Sequence, residues 1–267
     1  MAYADLSFHR IIDTAILKTF NMYYFTINLA HTYLPVSLTF KETGRYFHAY
    51  GFGLQEADEN SVGEGSSKPD ELMRWLPPGQ KLTPFMEYSL LCIPISQRLM
   101  SHGACLFHAG AFRWRDRAFL IAGPSGVGKS SRLKALMEMH PDEISVINGD
   151  KPALMCREDG SVLVCPSPWN GKEGWHGAKE AQLGGIFILQ RGEEDLIRPA
   201  KNTEKASILL LSIFQTWESE ESLKAAGSIA DKIGRSAPVW HLTGHDIGQS
   251  AELIYDQLQK EAERLGL

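Results

Sequence analysis

Between Ala118 and Ser131 the chain reads Ala-Phe-Leu-Ile-Ala-Gly-Pro-Ser-Gly-Val-Gly-Lys-Ser-Ser, and no other stretch restricts the fold as tightly. An apolar run, Phe119 to Ala122, suits a buried strand. The loop Gly123 to Ser130 then matches G-x-x-x-x-G-K-[ST], and a helix-like pattern runs from Ser131 to Met139. Strand, glycine-rich loop and helix in that order form a phosphate-binding loop. Gly123, Gly126 and Gly128 allow positive φ, so the backbone can curl its N–H groups toward one point, and the helix directs its partial positive charge to the same point. Gly123, Ser125, Gly126, Val127, Gly128, Lys129, Ser130 and Ser131 are therefore the candidate nucleotide contacts. Lys129 would reach the β- and γ-phosphates of ATP, and the Ser130 hydroxyl would ligate the bridging Mg²⁺.

Composition narrows the partners. The 267 residues are 43% hydrophobic and 22% charged, with a net charge of −5, as in ordinary globular proteins. A pI near 6.0 gives no electrostatic reason to bind nucleic acid or an anionic membrane. The start Met1-Ala-Tyr-Ala-Asp5 lacks a basic region followed by an apolar one, and no apolar run reaches membrane-spanning length, so a cytoplasmic protein is expected. Cys92, Cys105, Cys156 and Cys165 have no C-x-x-C spacing and no nearby paired histidines, so no zinc site is expected among them, and they read as small core residues. A two-residue turn at Asp159-Gly160 would set Cys156 opposite Leu163 and Cys165 opposite Leu154, leaving the sulfurs diagonal and poorly placed for a disulfide.

Along the chain, Tyr23–Leu29 and Leu34–Phe40 are rich in aromatic and β-branched residues and predict short strands in a β-rich lobe. Residues 56–69 have almost no apolar content and predict a surface loop, with a flap over the site as the less ordinary alternative. Pro84 to Met100 suits a buried helix interrupted near Pro94 that joins two lobes. The expected organisation is residues 1–100 as the β-rich lobe with its connecting helix, and 101–267 as the nucleotide-binding domain. Ala104 to Trp114, the charged tip Arg115-Asp-Arg117 and the strand to Ala122 predict a hairpin feeding the loop. Glu143 to Asp150 is another apolar strand ending in an acid, the place where such proteins hold a carboxylate for Mg²⁺ or for orienting a nucleophile. Asp150 is accordingly a candidate metal ligand and catalytic acid or base. Pro166-Ser-Pro-Trp-Asn-Gly-Lys-Glu-Gly-Trp-His176 predicts a stiff loop with Trp169 and Lys172 as substrate contacts, against the plainer reading of a tryptophan-pinned structural loop. A strand at Leu183–Gln190, helices at Thr203–Trp217 and Glu220–Ile233, a strand at Pro238–Leu242 and a helix at Gln249–Arg264 follow.

The glycine-rich loop, the acid-ended strand, the hairpin and the Pro-Trp-x-Gly-Lys loop together resemble the HPr kinase/phosphorylase family, above all its short kinase-like members associated with peptide modification. The resemblance covers about residues 100 to 267. It implies an α/β fold with the P-loop kinase core shared with phosphoenolpyruvate carboxykinases, a mixed sheet and flanking helices. In that family a histidine opens the strand two before the phosphate loop, and His108 in Phe107-His-Ala-Gly110 stands in that register, fifteen residues ahead of Gly123. His108 thereby joins Lys129 and Asp150 as a candidate catalytic residue. Where the family has two adjacent aspartates, this chain reads Asn148-Gly149-Asp150, with one carboxylate. The implied activity is ATP- and Mg²⁺-dependent phosphorylation of a hydroxyl, serine first, on a peptide or protein, by an enzyme able to assemble as a homo-oligomer. A small-metabolite kinase or carboxykinase-like enzyme is the first alternative, and a nucleotide-dependent binding module without transfer chemistry is the second.

Overall fold

The computed structural model describes residues 22–58, 72–215 and 219–265. The expectations for residues 1–21 and for most of the 56–69 loop lie outside them.

The first two predicted strands form. β1 (Tyr23–Leu29) and β2 (Thr32–Leu38) make a hairpin, and β3 (Leu54–Glu56) pairs with β1 in a three-stranded sheet of order β2-β1-β3. Alternation gives that sheet one apolar face, with Ile27, Leu29, Leu34, Val36 and Leu38 buried. A short helix, α1 (Gly44–Ala49), lies between β2 and β3.

The apolar stretch after Pro84 is broken into α2 (Pro84–Leu90) and α3 (Cys92–Ser101) at Leu91, three residues before the proline expected to interrupt it. Pro94 thus sits in the first turn of α3, where its missing N–H costs nothing, and Pro84 opens α2 for the same reason. α2 is tied to the N-terminal strands by Glu87. This fully buried carboxylate accepts hydrogen bonds from Thr39 N (2.5 Å), Phe40 N (3.2 Å) and Thr43 Oγ1 (2.5 Å).

The second sheet has nine strands and is mixed. β4 (Ala104–Leu106), β5 (Ala109–Trp114) and β6 (Arg117–Ala122) come first; β5 and β6 form the expected hairpin, with Trp114 paired to Arg117 and Arg115 at φ 54° in the turn. The single strand expected from Ala104 to Trp114 is divided at Phe107-His108. After α4 (Lys129–Met139) come β7 (Ile144–Asn148), β8 (Ala153–Cys156), β9 (Val162–Cys165) and the long β10 (Ala181–Arg191). β10 runs parallel to β6 on one side, and on the other meets β9 antiparallel and then β12 (Val239–Gly244) parallel. β11 (Leu196–Pro199) pairs with β12 at the edge. A bulge at Gly184 and the bare Gly185 give the Trp240 ring its place, because a Cβ on Gly185 would lie 2.3 Å from that ring.

Helices cover both faces of this sheet, so its central strands are apolar on both sides. Phe119 and Ile121 of β6 join a cluster with Leu133 and Leu136 of α4 and with Ile254 and Leu258 of α7 (Ile247–Leu265). Ala118, Leu120 and Ala122 point the other way, into a cluster with Leu209 of α5 (Asn202–Ser212) and Ile229 and Ile233 of α6 (Glu220–Ser236). A third cluster is shared between the sheets. Ile27, Val36 and Phe47 pack with Leu91 and Leu99 and with Ala104, Leu106, Ala153, Leu163 and Cys165.

The β8–β9 hairpin corrects one register. Cys156 pairs with Val162 and Cys165 with Ala153. The loop is Glu158-Asp159-Gly160, three residues ending on Gly160 at φ 83°, and not a two-residue turn. The shift of one residue sends Cys156 and Cys165 to opposite faces, and all four cysteines are free. Among the described residues no helix is long and apolar enough to cross a membrane.

Replacing Glu87 by Gln tests the link between α2 and the N-terminal strands. A neutral amide offers one acceptor oxygen where the carboxylate offers two, so a backbone N–H would face an N–H₂ group. The expected loss is about 1–3 kcal/mol of unfolding free energy, read by urea denaturation.

Candidate functional site

The loop after β6 takes positive φ at each of its three glycines, 149° at Gly123, 74° at Gly126 and 100° at Gly128. At Gly123 a Cβ would lie 2.5 Å from the Leu189 carbonyl oxygen on β10, so only glycine lets the strand turn there. Gly128 is the N-cap of α4 and brings no side-chain cap to the helix start. The first-turn N–H groups, which a helix leaves without internal partners, are thus available to a ligand of opposite charge. Lys129 is 8% exposed. Its Nζ donates to the carbonyls of Gly123 (3.0 Å) and Pro124 (3.2 Å), at the base of its own loop. Burial pulls the Lys129 pKa down, while the Asp150 charge acts to hold it up.

Asp150, His108 and Lys151 stand across the cleft. Asp150 follows the end of β7, and its carboxylate meets His108 Nε2 at 3.4 Å on one oxygen and the Lys151 ammonium on the other. Burial by itself would raise the Asp150 pKa. The hydrogen bond from His108 and the charge and hydrogen bond of Lys151 outweigh it and hold the carboxyl well below its usual range. The Lys151 ammonium also lies 5.1 Å from the center of the Phe214 ring, against whose edge His108 packs. His108 occupies the break between β4 and β5, where the chain stops pairing as a continuous strand. Its N–H donates to Ser212 O at the end of α5 (2.7 Å), and the flanking N–H groups of Phe107 and Ala109 reach Pro152 O and Asp150 O. The interruption brings the imidazole to the carboxylate.

Asn148 fixes this wall. It is fully buried; its Nδ2 donates to Asn170 Oδ1 (2.7 Å), Ser167 O (3.0 Å) and Ser167 Oγ (3.2 Å), and its Oδ1 accepts from Lys151 N (2.7 Å) and Asp150 N (2.9 Å). A bulge that leaves Ile147 unpaired between the Val146 and Asn148 pairings turns the strand end into this position. A second carboxylate has no room at Gly149, where a Cβ would lie 2.6 Å from Asn170 O.

The 166–176 loop lies over this strand end, joined by Lys151 N to Trp169 O and Gly149 N to Trp175 O. Its two singled-out residues separate. Lys172 is exposed and lines the cleft with Lys129, Ser130, Asp150, His108 and Phe214, in a space of about 630 Å³. Trp169, expected to face an acceptor, is instead 3% exposed: its Nε1 donates to Tyr88 O (2.8 Å), and its ring packs on Tyr88 and the edge of Phe47. It anchors the loop to α2 as the tryptophan-pinned alternative has it, because an indole finds both an apolar bed and an acceptor there.

The structure thus gathers Ser125, Gly126, Gly128, Lys129, Ser130, Ser131, His108, Asp150 and Lys172 around one cleft, with Gly123 and Val127 buried beneath the loop. Lys151, Asn148 and Phe214 are components that sequence reasoning missed. Lys151 was visible as the neighbour of Asp150. Asn148 and Phe214 carry no local signal, since each acts through contacts made only by the fold. Ser130 and Asp150 offer a hydroxyl and an ionised carboxylate on facing sides of the cleft, an all-oxygen donor set that fits Mg²⁺.

No family model matches the chain, and no curated protein matches it. Among solved structures, the Hpr(Ser) kinase/phosphatase from Coxiella burnetii aligns over 60% of this chain and 92% of its own, with 14% identity and a TM-score of 0.37. That is a distant structural relationship.

Asn148→Asp is expected to be harmful although it adds a carboxylate. The change removes the donor to three acceptors and puts charge in a fully buried position, at a cost of about 3 kcal/mol or more in unfolding free energy. Chemical denaturation at neutral pH measures it, and a variant as stable as the parent would refute the role given to Asn148.

Proposed function

We propose that this chain is an ATP- and Mg²⁺-dependent kinase that phosphorylates a hydroxyl, serine foremost, of a peptide or protein, with residues 101–267 as its catalytic domain. The observation that carries the reading is the cleft itself: a lysine on a glycine-rich loop at a helix start faces an ionised carboxylate paired with a histidine. Bound Mg²⁺ would neutralise charge on the β- and γ-phosphates, with Ser130 and Asp150 as its protein ligands.

The residues divide the work as follows. The loop N–H groups and the α4 N-terminus hold phosphate oxygens, and Lys129 exchanges its carbonyl acceptors for the phosphoryl group being transferred. Asp150 stays ionised throughout the physiological range and orients the acceptor hydroxyl. A carboxylate held that low is a weak base, so His108 is the better acceptor for the hydroxyl proton. Lys172, exposed at the cleft rim, meets the acceptor. One observation favours a second reading, a nucleotide-dependent binding module: the cleft has Asn148 and Gly149 beside Asp150, where the resembled family carries paired aspartates.

Radiolabelled ATP incubated with Ser-containing peptides and with metabolite pools separates these readings by where the label goes. Label in neither would favour the binding module. Lys129→Ala should weaken ATP binding about 10- to 100-fold by calorimetry, as expected for losing a charge-assisted hydrogen bond. Asp150→Asn should lower transfer roughly 10²-fold or more, because it removes the charge that orients the acceptor hydroxyl and would hold Mg²⁺, while Mg-free ATP binds nearly as before. His108→Asn should lower transfer roughly 10²- to 10⁴-fold, the range for a lost general base, while ATP binding is spared. Lys172→Ala should impair transfer and spare ATP binding; equal loss of both would assign the loop to the nucleotide.

A further inference from the structure

Away from the cleft, three metal-ligating side chains from distant parts of the sequence converge. Ala181 pairs with Val164 across the β9–β10 ladder, so the next position outward sets Glu180 opposite Cys165, with both side chains on one face. Cys165 Sγ lies 3.5 Å from Glu180 Oε2. The β1–β2 hairpin brings the third group. Leu29 pairs with Thr32, leaving Ala30 and His31 as a two-residue turn at φ 48° and 58°. Such turns favour Asn or Gly, so this one holds two side chains in the left-handed region at some cost. It delivers His31 Nε2 to 2.9 Å from each Glu180 oxygen, and the thiol, imidazole and carboxylate atoms all lie within 4.8 Å of one another.

We propose that His31, Cys165 and Glu180 form a binding site for a zinc-class divalent cation. Ligand arms of about 2.0–2.3 Å in a tetrahedron place donor atoms about 3–4 Å apart, which this cluster meets with small side-chain adjustments. One sulfur, one nitrogen and one oxygen donor select a borderline-soft ion and disfavour Mg²⁺ and Ca²⁺, so the site is chemically distinct from the oxygen donors of the cleft. Three protein ligands leave the fourth position to water or a small ligand. Access comes from the solvent side, where the His31 and Glu180 side chains are 57% and 38% exposed, while Cys165 is seated in the core.

The metal-free cluster is inert in itself. Burial, and then the Glu180 charge, push the Cys165 pKa far up, so the sulfur is a neutral thiol that must give its proton to solvent when the cation binds. Without a cation these residues form a half-exposed His–Glu pair over a core cysteine, an arrangement that contributes little to stability. A bound cation would add its own affinity to stability by linkage and would clip the N-terminal hairpin to the large sheet.

Cobalt(II), titrated into the full chelator-treated chain without nucleotide, reports ligand identity through its spectrum. The expected result is a thiolate-to-cobalt charge-transfer band with tetrahedral visible bands, bleached by one equivalent of zinc. Cys165→Ser should abolish the thiolate band. His31→Ala, an exposed-turn change that leaves the core intact, should lower zinc affinity about 10-fold or more and remove most of the zinc-induced rise in melting temperature. A purely octahedral spectrum, no thiolate band, or a band that persists in Cys165→Ser or at full strength in His31→Ala would overturn the proposal. Lys129→Ala should leave all these signals unchanged, which separates this site from the kinase cleft.

Discussion

One buried amide organises the candidate active site. Asn148 ends a strand with both halves of its side chain satisfied, the NH₂ by the 167–170 loop and the oxygen by the backbone of Asp150 and Lys151. The carboxylate is therefore mounted on a turn whose shape is set from inside the protein. A buried amide with any of these partners missing would face an unmet hydrogen bond, so the turn and the loop hold each other in place. Trp169, bonded to α2 and stacked on Tyr88, extends that scaffold to the N-terminal strands. The position of the charged groups thus depends on residues that never reach the cleft.

The sheet supplies the opposite wall. Because β6 is central and covered on both faces, its end is rigid, and the loop that follows starts from a fixed point. β10 presses the Leu189 carbonyl against Gly123 and so shapes the first turn of that loop. The N-terminal sheet shares a core with β4, β8 and β9, the strands that carry His108 and the 157–161 hairpin, so cleft and N-terminal segment are mechanically continuous through packed side chains.

Much of this arrangement is legible from residues alone, for identifiable reasons. The glycine-rich loop, the β5–β6 hairpin and the strand before Asp150 are local patterns with local causes. The break at Phe107-His108 is not local: it arises because the β7–β8 connection and the end of α5 take over the backbone hydrogen bonds there. The helix break at Leu91 is the one expected near Pro94: the proline has no N–H for the Leu90 carbonyl four residues back, so a continuous helix fails just ahead of it and Pro94 falls in the first turn of α3. The β8–β9 register differs by one residue from that of a two-residue turn because loop length sets hairpin register, and Asp-Gly serves three-residue loops as well as two-residue ones. Trp169 is an aromatic in a loop, and whether such an indole faces a ligand or a core depends on what lies beneath it. Lys172 and Trp169, three residues apart, show both outcomes.

Lys129 rests on two carbonyls of its own loop, and this gives the pocket a built-in placeholder. An ammonium buried to this degree would be costly without partners, yet here it is hydrogen-bonded before any ligand arrives. On the proposed reading, arrival of a phosphate would be a substitution of one acceptor for another, and the net gain would be the difference between a charged oxygen and two neutral ones. On that reading the selectivity of the loop would be for charge: a neutral ligand of the same shape would have nothing better to offer the lysine than the carbonyls it already holds.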